Sequence, residues 1–246
     1  MKLAGVVSIG SYTAADLERK KQSLQTVLRP DTRLDMFAAD SGVPYIESSL
    51  EFYFSEVAVA RKVIELAQLG YDAVVGTAFL DNGLDAAREL VAIPVVGPAK
   101  TTLYMAATLA NKFAVIAAAG DLPKHVWAFA KVLGVVDRIV AIPTLQCTVA
   151  DFLHDEENAV AMTVAMGRHL MEQQGAEALV LGCGATTGLA ARVTQELGIP
   201  VLDPGLTAVK YPEMLVDLGL SHSKRAYPHN PRVMQLLSEM GTARRQ

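Results

Sequence analysis

The chain contains the same unit twice. Asp72-Ala73-Val74-Val75-Gly76-Thr77-Ala78-Phe79-Leu80-Asp81-Asn82-Gly83-Leu84 lies over Glu177-Ala178-Leu179-Val180-Leu181-Gly182-Cys183-Gly184-Ala185-Thr186-Thr187-Gly188-Leu189. After a slip of one residue the match resumes, Ile93-Pro94-Val95-Val96-Gly97-Pro98 over Ile199-Pro200-Val201-Leu202-Asp203-Pro204. Leu3–Gly10 is likewise similar to Phe113–Gly120, so each half opens on a related segment. A repeated strand–turn–helix–strand unit predicts two similar half-molecules whose strand ends face one another across a cleft. Within the repeat, Cys183 has Ala78 as its counterpart.

Short apolar runs alternate with longer helical patterns, which is the signature of an α/β fold. Strands are expected at Leu3–Ile9, Leu34–Ala38, Ala73–Gly76, Val95–Val96, Phe113–Ala117, Arg138–Ile142, Ala178–Leu181 and Val201–Leu202. These runs are apolar almost throughout, as in parallel sheets covered on both faces. Helices are expected in the gaps, among them Thr13–Leu28, Ser49–Leu69, Lys124–Leu133, Val149–Gln174 and Leu206–Leu218, with Gly70, Gly134 and Gly175 just past three of them. The expected architecture is two similar parallel-sheet α/β domains related by a pseudo-twofold, with the active site in the cleft between them. The first would take residues 1–97 plus a returning segment, 206–246, and the second residues 98–205. Open sheets of this kind bind ligands at the carboxyl ends of their strands.

A net charge of −4 over 246 residues gives no concentrated basic face for nucleic acid. No apolar run reaches the roughly 18 residues of a membrane span. The start passes from Leu3–Ile9 into the polar Asp16-Leu17-Glu18-Arg19-Lys20-Lys21, which reads as a first strand and not a secretory leader. The two cysteines stand in different contexts and read as reduced thiols, pointing to the cytoplasm. No Cys/His spacing suits a metal, and no glycine-rich fingerprint indicates a dinucleotide or ATP. His125, His154, His169, His222 and His229 are scattered, and most are expected on the surface.

Cys183 follows a strand, inside Gly182-Cys183-Gly184-Ala185-Thr186-Thr187-Gly188. The glycines let backbone approach a ligand. A helix expected to begin near Thr186 would direct unpaired N–H groups at the cleft, a setting that lowers a thiol pKa and suits a carboxylate or enolate oxygen. The plainer alternative is a small apolar residue at a tight turn, and the spacing alone does not decide between them. Cys147 has no such turn and reads as a packed thiol. Asp81 and Asn82 suit ligand contact or capping of the helix that follows them.

Thr77 through Leu90, with Leu181-Gly182-Cys183-Gly184, resembles the paired cysteine motifs of the aspartate/glutamate/hydantoin racemase superfamily. Ser41–Glu47 and Leu218–Lys224 resemble segments of its hydantoin and allantoin racemase branch, and the similarity spans nearly the whole chain. The resemblance implies cofactor-independent chemistry on a small molecule. One cysteine removes the acidic proton beside a carbonyl, and a second delivers a proton to the opposite face. It implies Cys183 as the acid/base group and Ala78 as a vacant partner position. Gly184, Ala185, Thr186 and Thr187 would hold substrate oxygens on one side, and Phe79, Asp81 and Asn82 on the other. Ser8, Gly10, Pro44 and Tyr45 would line the remaining wall. Homo-oligomers are common among such enzymes.

Three departures accompany the resemblance. Ala78 stands where the first cysteine is expected, Ser8-Ile9-Gly10-Ser11 replaces an Asn-Pro-Asn-Thr turn, and Lys100 replaces an acidic residue. Lys100 reads as a solvated helix residue. Three functional readings follow: a racemase disabled at its first cysteine and left able to trap substrate, a one-cysteine decarboxylase or lyase, and a binding protein that keeps the cleft without catalysis.

Overall fold

Two four-stranded parallel sheets of the same strand order carry the chain. The structure is a computed structural model and describes residues 1–44, 46, 48–117, 122–145, 155–182 and 187–233. The first half runs β1 (Lys2–Val7), α1 (Ala14–Gln25), β2 (Arg33–Ala38), α2 (Ser49–Gln68), β3 (Ala73–Gly76), α3 (Leu84–Leu90), β4 (Val95–Val96) and α4 (Pro98–Leu109). The second runs β5 (Phe113–Ile116), α5 (Leu122–Leu133), β6 (Ile139–Ala141), α6 (Glu156–Gln174), β7 (Ala178–Leu181), α7 (Ala190–Leu197), β8 (Val201–Leu202) and α8 (Pro204–Asp217). The sheets are ordered β2-β1-β3-β4 and β6-β5-β7-β8.

The repeat extends to register. Leu3 faces Ala73 and Val74 faces Val95 in the first sheet, and Phe113 faces Ala178 and Leu179 faces Val201 in the second. Successive strand residues point to opposite faces, and both faces of the central strands β1, β3, β5 and β7 are buried, which is why those strands are apolar almost throughout. On the first sheet Ala4, Val6 and Val74 pack under Val59, Val63 and Leu66 of α2, while Leu3, Leu34 and Val75 pack under Leu24 of α1 with Ala208 and Val209 of α8. On the second, Ala114, Ile116 and Leu179 pack under Val160 and Val164 of α6. Its other face, Phe113, Val115 and Val180, is covered by Val126 and Ala130 of α5 and by Ala99, Leu103 and Ala106 of α4.

The two halves therefore exchange helices. The helix that leaves the first sheet covers the second, and the last helix comes back to the first. Phe79, from the turn after β3, joins the second sheet's core. Phe52 of α2 stacks on His125 of α5, ring centroids 5.6 Å apart.

Several element boundaries differ from expectation. Arg138 ends a short 3-10 turn and β6 starts at Ile139. Helix α6 begins at Glu156, where the Asp155 side chain accepts from Asn158 N; residues 146–154, including Cys147 and His154, lie outside the described residues. Helix α7 begins at Ala190, not near Thr186, because 187–189 form a turn with Gly188 at φ +101°.

Candidate functional site

The strand ends of the two halves finish on the same bond. Thr77 N donates to Val6 O at 3.0 Å, and Gly182 N donates to Ile116 O at 2.8 Å. Among the described residues each is the last ladder bond before the turn of its half, and the next residues are Ala78 and Cys183. Cys183, Gly184, Ala185, Thr186 and Tyr45 lie outside the described residues. Gly182 sits close to the neighbouring strand, where a Cβ would stand 3.1 Å from Ile116 O.

Ala78 is half-buried and sits at the head of a turn braced on three sides. Asp81 N donates back to Ala78 O at 3.1 Å, and Asp81 takes φ +56°, an αL conformation that Asp tolerates better than most side chains. Asn82 Nδ2 donates to Ser55 Oγ of α2 at 2.9 Å. Gly83 N–H bonds the Glu56 side chain. Gly83 takes φ +69°, and a Cβ there would stand 2.2 Å from Glu56 O, so only glycine fits.

The Asp81 carboxylate does not cap the helix that follows it. Helix α3 has Gly83 at its N-cap, with no side-chain bond. Asp81 instead reaches α4, Oδ1 accepting from Ala99 N at 2.8 Å and Oδ2 from Lys100 N at 3.2 Å. This closes the open N-terminus of α4. Burial pushes its pKa up to about 7, against the pull of these amides and of nearby Arg88.

The second half solves the same problem in reverse. The position matching Gly97 is Asp203, which caps its own helix by accepting from Leu206 N at 3.0 Å. Asp203 also reaches back to the turn, where Gly188 N donates to Oδ2 at 2.6 Å. One half places the carboxylate in the turn and aims it at the helix; the other places it on the helix and aims it at the turn. Gly97 is glycine because a Cβ there would stand 2.1 Å from Asp81 Cγ. Burial raises the Asp203 pKa as well.

The remaining expected site residues are placed as follows. Ser8 is buried directly after β1. Gly10 N donates to Val43 O at 3.1 Å, and Ser11 Oγ donates to Pro44 O at 2.7 Å, which ties the loop after β1 to the loop after β2. Phe79 is buried in the core. Thr187 lies in the turn before α7, its Oγ1 2.9 Å from where a Cβ on Gly205 would fall. The structure thus brings Ser8, Thr77 and Ala78 to one sheet end, while Asp81 and Asn82 are engaged with α4 and α2.

Lys100 is not a solvated helix residue. It is half-buried and its Nζ donates to Tyr227 Oη at 3.0 Å, from a place 5.7 Å from the ring centroid. His222, expected at the surface, is half-buried and accepts from the edge-strand amide Val95 N at 2.8 Å. Burial lowers its pKa to about 4, with Arg88, Lys100 and Lys224 adding to the effect. Arg88 is itself buried; it donates to Val95 O at 3.0 Å and pairs with Asp85. The pairings of Lys100 with Tyr227 and of His222 with Val95, each across 127 residues, leave no local signal. Among the described residues no group of three His, Cys, Asp or Glu side chains could hold a metal ion, and no helix is long and apolar enough to cross a membrane.

Two parallel α/β halves of like strand order, ending on matching ladder bonds, have the architecture of two-domain racemase folds. Residues 7–211 match the Asp/Glu/Hydantoin racemase family, and the chain belongs to that family. A hydantoin racemase from Pseudomonas sp. (strain NS671) is 31% identical over 224 residues, covering 90% of each chain. The allantoin racemase from Klebsiella pneumoniae superposes with a TM-score of 0.86 at 27% identity, over 94% of each chain. That from Pseudomonas fluorescens gives 0.87 at 26% identity, over 94% of this chain and 97% of its own.

Proposed function

We propose that this chain is a cofactor-independent enzyme of the racemase and epimerase type, acting on an acidic C–H beside a carbonyl in a hydantoin-like or amino-acid-like small molecule. Cys183 is its one acid/base thiol, and Ala78 stands in the place of the partner. The observation that carries this reading is the shared ladder ending, Thr77 on Val6 and Gly182 on Ile116, which supports taking positions 78 and 183 as counterparts. The family supports the reaction class, and the hydantoin and allantoin racemases it is similar to support the kind of ring.

In this reading the Cys183 thiolate takes the proton from one face, and amide and hydroxyl donors of the turns hold the developing enolate oxygen. With a methyl group at Ala78, the proton returns from the face it left. The product is exchange without inversion. A missing base removes roughly 3–5 kcal/mol of transition-state stabilisation from inversion, since each positioned acid or base contributes about 10²–10⁴-fold. A bound substrate is then held and not turned over to its mirror image. The exposed apolar stripe Leu50, Tyr53, Phe54 and Val57, at i, i+3, i+4 and i+7 on α2, supports assembly into a homo-oligomer. The two cysteines, read from their sequence contexts as reduced thiols, support a cytoplasmic setting.

The test is α-proton exchange in D₂O, followed by NMR, with optical rotation on the same samples of enantiopure hydantoins, allantoin, amino acids and malonates. The chain should exchange one enantiomer without racemising it, and Ala78→Cys should racemise. Rapid racemisation by the unaltered chain would sink the one-base reading. The same Ala78 observation favours a second reading, a one-cysteine decarboxylase or lyase; carbon dioxide release from a malonate, unchanged in Ala78→Cys, would select it.

A further inference from the structure

A cavity of about 1070 Å³ lies between α4 and α8, on the side of α4 away from the Ala78 turn. None of Ser8, Thr77, Ala78 or Gly182 lines it. Its walls are the apolar parts of Tyr104, Met105, Met214 and Leu218, each between about 44% and 63% exposed. Its two ends differ in charge. At the α8 end every cation has a carboxylate: Arg29 pairs with Asp217 at 2.5 Å, and Lys210 with Glu213 at 2.6 Å. At the other end stands Lys100, with no carboxylate in ion-pair reach among the described residues and only Tyr227 Oη bonded to its ammonium. Arg88 and Lys224 stand nearby and add positive potential, partly offset by Asp85 on Arg88.

An ammonium has three donors, and a half-buried one facing an open cavity is short of an anion. Apolar walls leading to one end whose cation has no carboxylate partner fit a ligand with an apolar body and a negative head, in the size range of small-molecule sites. We propose that this cavity is a second ligand site, separate from the strand-end cleft, for a small organic carboxylate with a ring-sized apolar body. The carboxylate pairs with Lys100 and accepts from Tyr227 Oη, and the body lies along Tyr104, Met105, Met214 and Leu218. No bond is made or broken there. The Lys100 amide is also one of the two that hold Asp81, so the head of this site and the Ala78 turn share one helix start.

Calorimetric titration with naphthalene-2-carboxylate tests it, with naphthalene-2-carboxamide as the uncharged match. The carboxylate should bind and the amide should bind at least about tenfold more weakly, the usual worth of a charged hydrogen bond. Lys100→Met should lose about tenfold, Tyr227→Phe severalfold, and Lys100→Arg should restore most of the affinity. Melting curves establish that each variant is folded. Alkylating Cys183 should leave the titration unchanged, so the result is independent of the catalytic reading. Equal binding of acid and amide, binding indifferent to Lys100→Met, or binding abolished by alkylation would each overturn the proposal. So would an assembly that Met214→Arg breaks apart, because a second copy of the chain would then fill the groove.

Discussion

At the scale of single residues, the informative pair is Asp81 and Gly97. The glycine has no role of its own; it is the space that the Asp81 carboxylate occupies. Gly97→Ala should therefore cost about 1–3 kcal/mol as an overpacked site, and Asp81→Thr about 1–2 kcal/mol as a lost cap. Asp81→Thr combined with Gly97→Asp copies the second half's arrangement and should be more stable than either single variant in urea denaturation. Neighbouring residues of this kind do not add independently. The Asp81 carboxyl also carries a pH signature. Its folded pKa, about 7, lies above the unfolded value of 3.8. Between those limits the folded chain keeps a proton that the unfolded chain has lost, so stability declines as pH rises through the window. The slope from this one group reaches at most about 1.36 kcal/mol per pH unit. The difference between the chain and Asp81→Asn isolates it, and no difference would mean that the amides of α4 outweigh burial.

At the scale of elements, the segment after α8 secures an edge. Strand β4 has two residues and presents Val95 N outward, and His222 supplies its acceptor. Lys224 Nζ donates to Arg88 O and Val91 O at the end of α3, and Ser221 Oγ donates to Ala92 O. An uncovered edge strand is a template for mispairing; here side chains close it. The His222 pKa, about 4, lies below the free value of 6.5. Between those values the unfolded chain binds the proton that the folded chain refuses, so this contribution is full above pH 6.5 and is lost as pH falls toward 4. The hydrogen-exchange protection factor of Val95 should drop across that interval, and in His222→Ala it should be low and flat. An unchanged profile in the variant would show that Val95 N is protected by something other than His222.

At the scale of the whole molecule, the exchanged helices make the two halves one cooperative unit. Helix α4 covers the second sheet, α8 covers the first, and Phe79 crosses into the far core. The single tryptophan, Trp127, packs against the second core, and Leu24 is buried in the first. Leu24→Ala should cost about 2–5 kcal/mol, and the Trp127 fluorescence transition in urea should move by the full amount, as in a two-state system. A Trp127 transition that stays in place would mean that the halves unfold separately.

How much of this was legible in the sequence depends on the distance between partners. The repeat, the apolar strands at Ala73–Gly76 and Ala178–Leu181, and the left-handed glycines at 70, 134 and 175 were all readable. They rest on local periodicity and backbone preference, and the covered parallel sheet follows from them. The tertiary structure decided which side chains hold the turns and close the sheet edge. It decided that Asp81 caps a helix beginning 17 residues downstream, at Pro98, and not the next one. It decided that His222 and Lys100 are held inside by Val95 and Tyr227, each pair 127 residues apart. A side chain's hydrogen-bonding partner is set by where the chain folds back, and the sequence around the side chain carries no record of that.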